Sequence, residues 1–131
     1  MKPTEDALVH AALAARESAV APFSHFKVGA ALESEAGEIF TGCNVENATY
    51  GLTVCAERVA IFKALSEGRR RFARLAVVAD TDTLTPPCGA CRQIIWEFCG
   101  DIPMVLANLK GAREVVQMAA LFPRAFDASF L

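Results

Sequence analysis

Apolar residues recur at helical spacing from about residue 4 to 20. Thr4 stands where an N-cap belongs, and Glu5 and Asp6 fall in the first turn, where the helix dipole favours acids. Pro22 is expected to end that helix. Strand-like runs follow over about 26–33 and 38–44, joined through Glu35-Ala36-Gly37 as a hairpin. A loop from Asn47 to Thr53 leads into a second helix over about 55–67, closed by Gly68. The apolar run 74–79 reads as a buried strand. A Thr- and Pro-rich loop from Asp80 to Pro87 precedes a third helix over about 88–99. Residues 103–107 form another strand, and the chain past Gly111 is expected to add one more strand and a short helix near 118–122. With 131 residues and no repeat, linker or low-complexity segment, the expectation is one domain, 1–131, around one core.

That order has a chemical consequence. The second and third helices each follow a strand. In an open α/β sheet, helix N-termini gather at the carboxyl ends of parallel strands. Cys55 and Cys88 would then sit at two neighbouring helix N-termini, where backbone N–H groups favour thiolates. Cys91 lies one turn further on the same face as Cys88. Three thiolates hold a zinc ion and leave one tetrahedral position open, the layout of a catalytic site. A structural site would need a fourth ligand, Cys43 or Cys99. Cys99 lies roughly 12 Å along the helix axis from Cys91, too far to share an ion. Cys43 falls in a strand expected to be buried, where a free cysteine packs as a small hydrophobe. Glu57, two residues from Cys55, can take and return protons without being a ligand. Arg58 follows it and can offset the surplus thiolate charge, an argument that applies more weakly to Arg92.

Composition narrows the partners. The formal net charge is −2 and the pI is about 5.7, so no broad basic surface is implied and nucleic acid is not expected as a substrate. Arg69-Arg70-Arg71 reads as a solvated helix end. Apolar residues make up 53% and the mean hydropathy is +0.31, high for a small monomer, which points to apolar surface buried against other subunits. The second helix is apolar around most of its circumference, through Val59, Ala60, Ile61, Phe62, Ala64 and Leu65. No apolar run approaches the ~18 residues of a membrane helix and no signal peptide is visible, so no membrane partner is expected. Five cysteines, an odd count that includes a CxxC pair, fit metal ligation in a reducing cytoplasmic setting better than disulfides.

The residues together resemble the short, single-domain branch of the cytidine deaminase family. The likeness runs from Ala21-Pro22-Phe23-Ser24-His25-Phe26 through Gly42-Cys43-Asn44-Val45-Glu46-Asn47, Cys55-Ala56-Glu57-Arg58 and Pro87-Cys88-Gly89-Ala90-Cys91-Arg92-Gln93 to Leu121-Phe122-Pro123-Arg124-Ala125-Phe126. The cysteine elements indicate a broad superfamily, and Asn44-Val45-Glu46-Asn47 narrows it to free-nucleoside deaminases. The resemblance implies a three-layer α/β/α sandwich on a mixed, mostly five-stranded sheet. It implies one zinc per chain on Cys55, Cys88 and Cys91, with Glu57 as proton shuttle and Arg58 donating to the cysteine sulfurs. It implies that Phe26 packs on the pyrimidine and that Asn44 and Glu46 bind the ribose 3′-OH. Phe126 is implied to close a neighbour's pocket in a homotetramer with composite sites. The substrates implied are the small nucleosides cytidine and deoxycytidine, in pyrimidine salvage. Deamination of a cytosine-bearing antibiotic such as blasticidin S is the alternative; that group lacks the Asn-Val-Glu-Asn stretch. A zinc-stabilised binding module without catalysis is a third reading, against which the retained Glu57 argues. One departure stands out: Arg124 replaces the glycine usual in the last element. His10 and His25 are assigned no role.

Overall fold

Thr4 caps the first helix, its side chain accepting from the Ala7 amide at 3.1 Å, in a computed structural model that describes residues 2–131. This helix, α1, spans Glu5–Arg16 and ends well before Pro22, short of the expected residue 20. The reason is tertiary. Val20 is drawn into a bridge with Val45, its amide donating to Asn44 O at 3.0 Å while the Glu46 amide donates to Val20 O at 2.8 Å. A helix continuing through residue 20 would forfeit both bonds.

The hairpin forms as expected from β1 (Val28–Ser34) and β2 (Ile39–Cys43). A short 3₁₀ turn, Tyr50–Leu52, precedes α2 (Ala56–Ser66), and Gly68 leaves that helix at φ 86°, the left-handed region glycine enters without cost. The next strand, β3 (Phe72–Ala79), starts two residues earlier than the sequence pattern suggests, because Phe72 is buried and pairs with Ser34. Then come α3 (Gly89–Cys99), β4 (Pro103–Ala107), β5 (Arg113–Gln117) and the short α4 (Met118–Leu121). The sheet order is β2-β1-β3-β4-β5. β1 runs antiparallel to β2 and β3, β3 is parallel to β4, and β5 is antiparallel to β4. So β2, β3 and β4 all point the same way.

Two apolar layers cover the sheet, which is why every residue of β1 is buried. On one face Leu8, Val9 and Ala12 of α1 pack on Ala31, Ala76 and Val105. On the other, Ala60 and Ile61 of α2, Cys91 and Ile95 of α3 and Met118 of α4 pack on Leu32, Leu75 and Met104. The result is the expected three-layer α/β/α sandwich on a mixed five-stranded sheet. Among the described residues no helix is long and apolar enough to cross a membrane.

The register sets the position of the two functional helices. Gly29 pairs with Cys43 and Val28 with Ala79, so β2 and β3 end level with each other on either side of β1. α2 and α3, which follow these strands in the chain, both start at that end of the sheet. At Gly42, one residue before β2 ends, α2 lies directly on the backbone. A Cβ there would meet Ala56 O at 2.4 Å and Ala60 N at 2.6 Å.

Gly42→Ala should therefore destabilise the fold by about 1–3 kcal/mol, the usual cost of overpacking. A Cβ at Gly51 meets nothing within 4 Å, so Gly51→Ala should stay within about 0.5 kcal/mol of the parent. Chemical denaturation of the two variants checks this, and equal stabilities would show that α2 does not depend on the close approach.

Candidate active site

Each functional helix begins on a cysteine. Cys55 is the N-cap of α2 and Cys88 that of α3, both with extended backbone. Their carbonyls accept the first helical bonds, from Val59 N at 3.2 Å and Arg92 N at 2.9 Å. Neither side chain caps its own helix, so both sulfurs are free to face each other. Cys91, one turn into α3, is fully buried. The three Sγ atoms lie within 4.8 Å of one another, with Cys55 and Cys88 3.9 Å apart. Sulfurs around a tetrahedral zinc at a Zn–S distance of about 2.3 Å are about 3.8 Å apart. The donor set and its spacing therefore fit the ion.

Cys43 and Cys99 lie outside the cluster. Cys43 is half-buried rather than buried, beside Ser18 and Lys63 in a different cavity. Cys99 is half-buried at the far end of α3, and burial pushes its thiol up to about 12. Among the described residues three sulfurs gather and no fourth, the open arrangement the spacing predicts.

Charge is concentrated at this point. Cys55 drops to about 5 because the Cys91 thiol bonds to it and the Arg58 guanidinium faces it, against the opposing effect of burial. Cys91 is pushed up, first by that same bond and then by burial. Arg58 Nη2 lies 3.4 Å from Cys55 Sγ and 3.5 Å from Thr53 O, while its Nε is buried without a partner. Arg92, which carried the weaker form of the same argument, does not face sulfur. Its Nε donates to Pro87 O at 2.8 Å and its Nη1 to Leu121 O at 2.5 Å.

Glu57 sits beside the cluster with only 4% of its surface exposed. Burial raises its carboxyl to about 7, and the neighbouring Cys55 charge adds to the rise. A cavity of about 160 Å³ opens onto it, with Phe26, Asn44, Thr85 and Cys88 in the walls. Phe26 is half exposed there rather than packed in the core.

Asn44 and Glu46 both reach the segment 23–28, and each already has partners there. Asn44 Oδ1 accepts from Val28 N at 2.8 Å and its Nδ2 donates to Phe26 O at 2.7 Å. Glu46 accepts from the amides of Phe23 and Ser24 at 2.9 and 3.1 Å, and from the Ser24 hydroxyl. The Ser24 hydroxyl is the main reason its carboxyl lies below the usual range. Glu46 lines a second cavity of about 420 Å³ with Phe23, Ser24, Tyr50 and Thr53, and Thr53 borders both cavities. Sequence reasoning assigned Ser24 and Thr53 no part in the site. A signal for Ser24 existed: a hydroxyl two residues before Phe26 bonds that residue's amide, at 3.0 Å.

Phe126 is not brought to its own chain's cluster. It is 59% exposed and stacks on Phe130 with centroids 5.6 Å apart. Arg124 takes φ 53°, so the chain keeps there the turn a glycine would make.

Metal analysis tests the ligand set. Cys43→Ala and Cys99→Ala should each keep one zinc per chain, whereas Cys88→Ala and Cys91→Ala should lose most of it. Zinc lost from either of the first pair would overturn the three-sulfur assignment.

Comparison with known proteins agrees with this geometry. The family described as the cytidine and deoxycytidylate deaminase zinc-binding region matches residues 2–107. A cytidine deaminase of Sporosarcina psychrophila is 57% identical over 86% of this chain and 84% of its own length. A crystal structure of the Burkholderia pseudomallei cytidine deaminase superposes with a TM-score of 0.91 at 52% identity, covering 95% of this chain and 100% of that one. A blasticidin-S deaminase of Bacillus cereus is more distant, 32% identical over 73% of this chain and 74% of its own. Three sulfurs at two helix N-termini, an acid buried beside them and these likenesses agree: the chain belongs to the zinc-binding cytidine and deoxycytidylate deaminase family.

Proposed function

We propose that this protein hydrolyses cytidine and 2′-deoxycytidine to uridine and 2′-deoxyuridine, releasing ammonia. The observation that carries the reading is Glu57, a carboxyl buried beside the three-sulfur cluster in the lining of a cavity. Zinc held by Cys55, Cys88 and Cys91 supplies Lewis-acid activation of water at neutral pH. The remaining work belongs to the chain. Glu57 takes a proton from the attacking water and delivers it to N3 of the pyrimidine, which makes C4 electrophilic. The water oxygen bonds to C4, the C4–amine bond breaks, and Glu57 passes the remaining proton to the departing nitrogen. A buried carboxyl can do both, since burial disfavours its ionised form and lets it keep a proton as well as give one up. Arg58 offsets the thiolate charge.

Phe26 packs against the base, and Asn44 and Glu46 hold the sugar 3′-OH. A carboxylate offers about four acceptor positions. Glu46 uses three of them on Phe23 and Ser24, which leaves room for a hydroxyl. Neither residue requires a 2′-OH, so ribo- and deoxyribonucleosides are both substrates. Lower identity to the blasticidin-S deaminase, together with the Asn44–Glu46 contacts, favours nucleosides over the antibiotic. The loss of ultraviolet absorbance with cytidine, deoxycytidine, cytosine and blasticidin S in parallel tests the reading. Turnover of the antibiotic without turnover of cytidine would overturn it. A role in pyrimidine salvage follows from the substrates, and free cysteines serving as metal ligands fit a reducing cytoplasmic setting.

The active form in this proposal is a homotetramer with composite sites. Tyr50 and Leu52 are 74% and 64% exposed, and Phe62 of α2 also faces outward, as expected of surface that other copies cover. Phe126 then closes a neighbour's cavity.

Two experiments follow. Glu57→Gln keeps the shape but removes the base, and turnover should fall by at least about 10²–10⁴ with zinc retained. Activity within tenfold of the parent would refute the shuttle. Glu57→Ala and Phe126→Ala chains should each be impaired, and their co-expressed mixture should regain part of the activity. A monomer in light scattering, or no recovery in the mixture, places Phe126 outside a shared site.

A further inference from the structure

The first turn of α3 carries Cys88 and Cys91, and the side chains that follow hold the C-terminal tail. Arg92 joins the carbonyl before Cys88 to the Leu121 carbonyl at the end of α4. Gln93 Nε2 donates to the Phe126 carbonyl at 2.8 Å. Trp96 Nε1 donates to Asp127 Oδ2 at 2.9 Å. The other oxygen of Asp127 accepts from the amide and hydroxyl of Ser129, at 2.9 and 2.5 Å, and so starts the final turn Ala128–Phe130. The Phe126 carbonyl and the Asp127 side chain are thus gripped while the Phe126 ring stays exposed. Arg124 sits in the left-handed region just before, at a backbone cost that glycine would not incur. Docking on α3, rather than the local preference of the turn, sets the path of the tail.

We propose that Gln93 and Trp96 are positioning residues that hold the tail on its own chain's α3, so that the Phe126 ring is presented at a fixed place to the neighbour's cavity. Arg92 completes the link by tying the turn before Cys88 to the start of the tail. The metal-binding helix and the substrate-closing tail then form one body. This rests on the reading that Phe126 closes a cytidine site.

The test uses the full, zinc-loaded chain with Gln93→Leu and Trp96→Phe, singly and combined. Hydrogen exchange read by mass spectrometry should quicken over residues 121–131 in the combined variant, with α3 amides at the parent rate. With cytidine, KM should rise about tenfold, the effect of two lost hydrogen bonds, while kcat stays within about threefold. In a Phe126→Ala background the same two changes should leave KM where Phe126→Ala alone puts it. Unchanged tail exchange overturns the proposal. So does a KM loss repeated in full without Phe126, a Phe126→Ala variant with parent KM, or a loss of zinc or of assembly mass, which would mark a merely structural role. A parent protein that leaves cytidine intact would instead defeat the activity reading, and tail exchange would still decide whether α3 carries the tail.

Discussion

Three thiol groups within 4.8 Å cannot all ionise unless something pays the electrostatic cost, and the site is arranged around that constraint. Two helix N-termini face the sulfurs, and the Arg58 guanidinium lies against one of them. The sheet is what makes this convergence possible. Because β2 and β3 run in the same direction and end level on either side of β1, the helices that follow them start at the same end of the sheet. Gly42 then fixes how deeply α2 settles on the sheet, and with it the height of Cys55 and Glu57 above the cavity floor.

The same crowding tunes the acid. Glu57 is buried among apolar walls and close to the Cys55 charge, and both disfavour its ionised form. A carboxyl in water at neutral pH is a poor proton donor because it has already lost its proton. Here the environment returns it to the range where giving and taking are balanced. Burial and chemistry are therefore one fact seen twice.

Much of this could be read from the sequence, for reasons that differ by element. The cysteine cluster and Glu57 were legible because helix periodicity fixes Cys88 and Cys91 on one face, and α/β topology places Cys55 opposite them. The α/β class followed from element order, and the three-layer architecture from the resemblance. What escaped was set by contacts distant in the chain. α1 stops at Arg16 because Val20 pairs with Val45, a bond that no local propensity announces. Arg92 looked like a second partner for sulfur, but the Pro87 and Leu121 carbonyls lie within its reach and take its donors. The resemblance marked Asn44 and Glu46 as site residues. Their grip on residues 23–28 was not legible, since it depends on where a loop folds back.

Trp96 is the chain's one tryptophan, and its indole lies at the junction between α3 and Asp127. Indole emission responds to hydrogen bonding and to nearby carboxylates. The protein thus carries an intrinsic optical label at the joint between its metal-binding helix and its tail. Steady-state and stopped-flow fluorescence can report whether that joint stays closed as ligands arrive, without attached dyes and without a second tryptophan to confuse the signal.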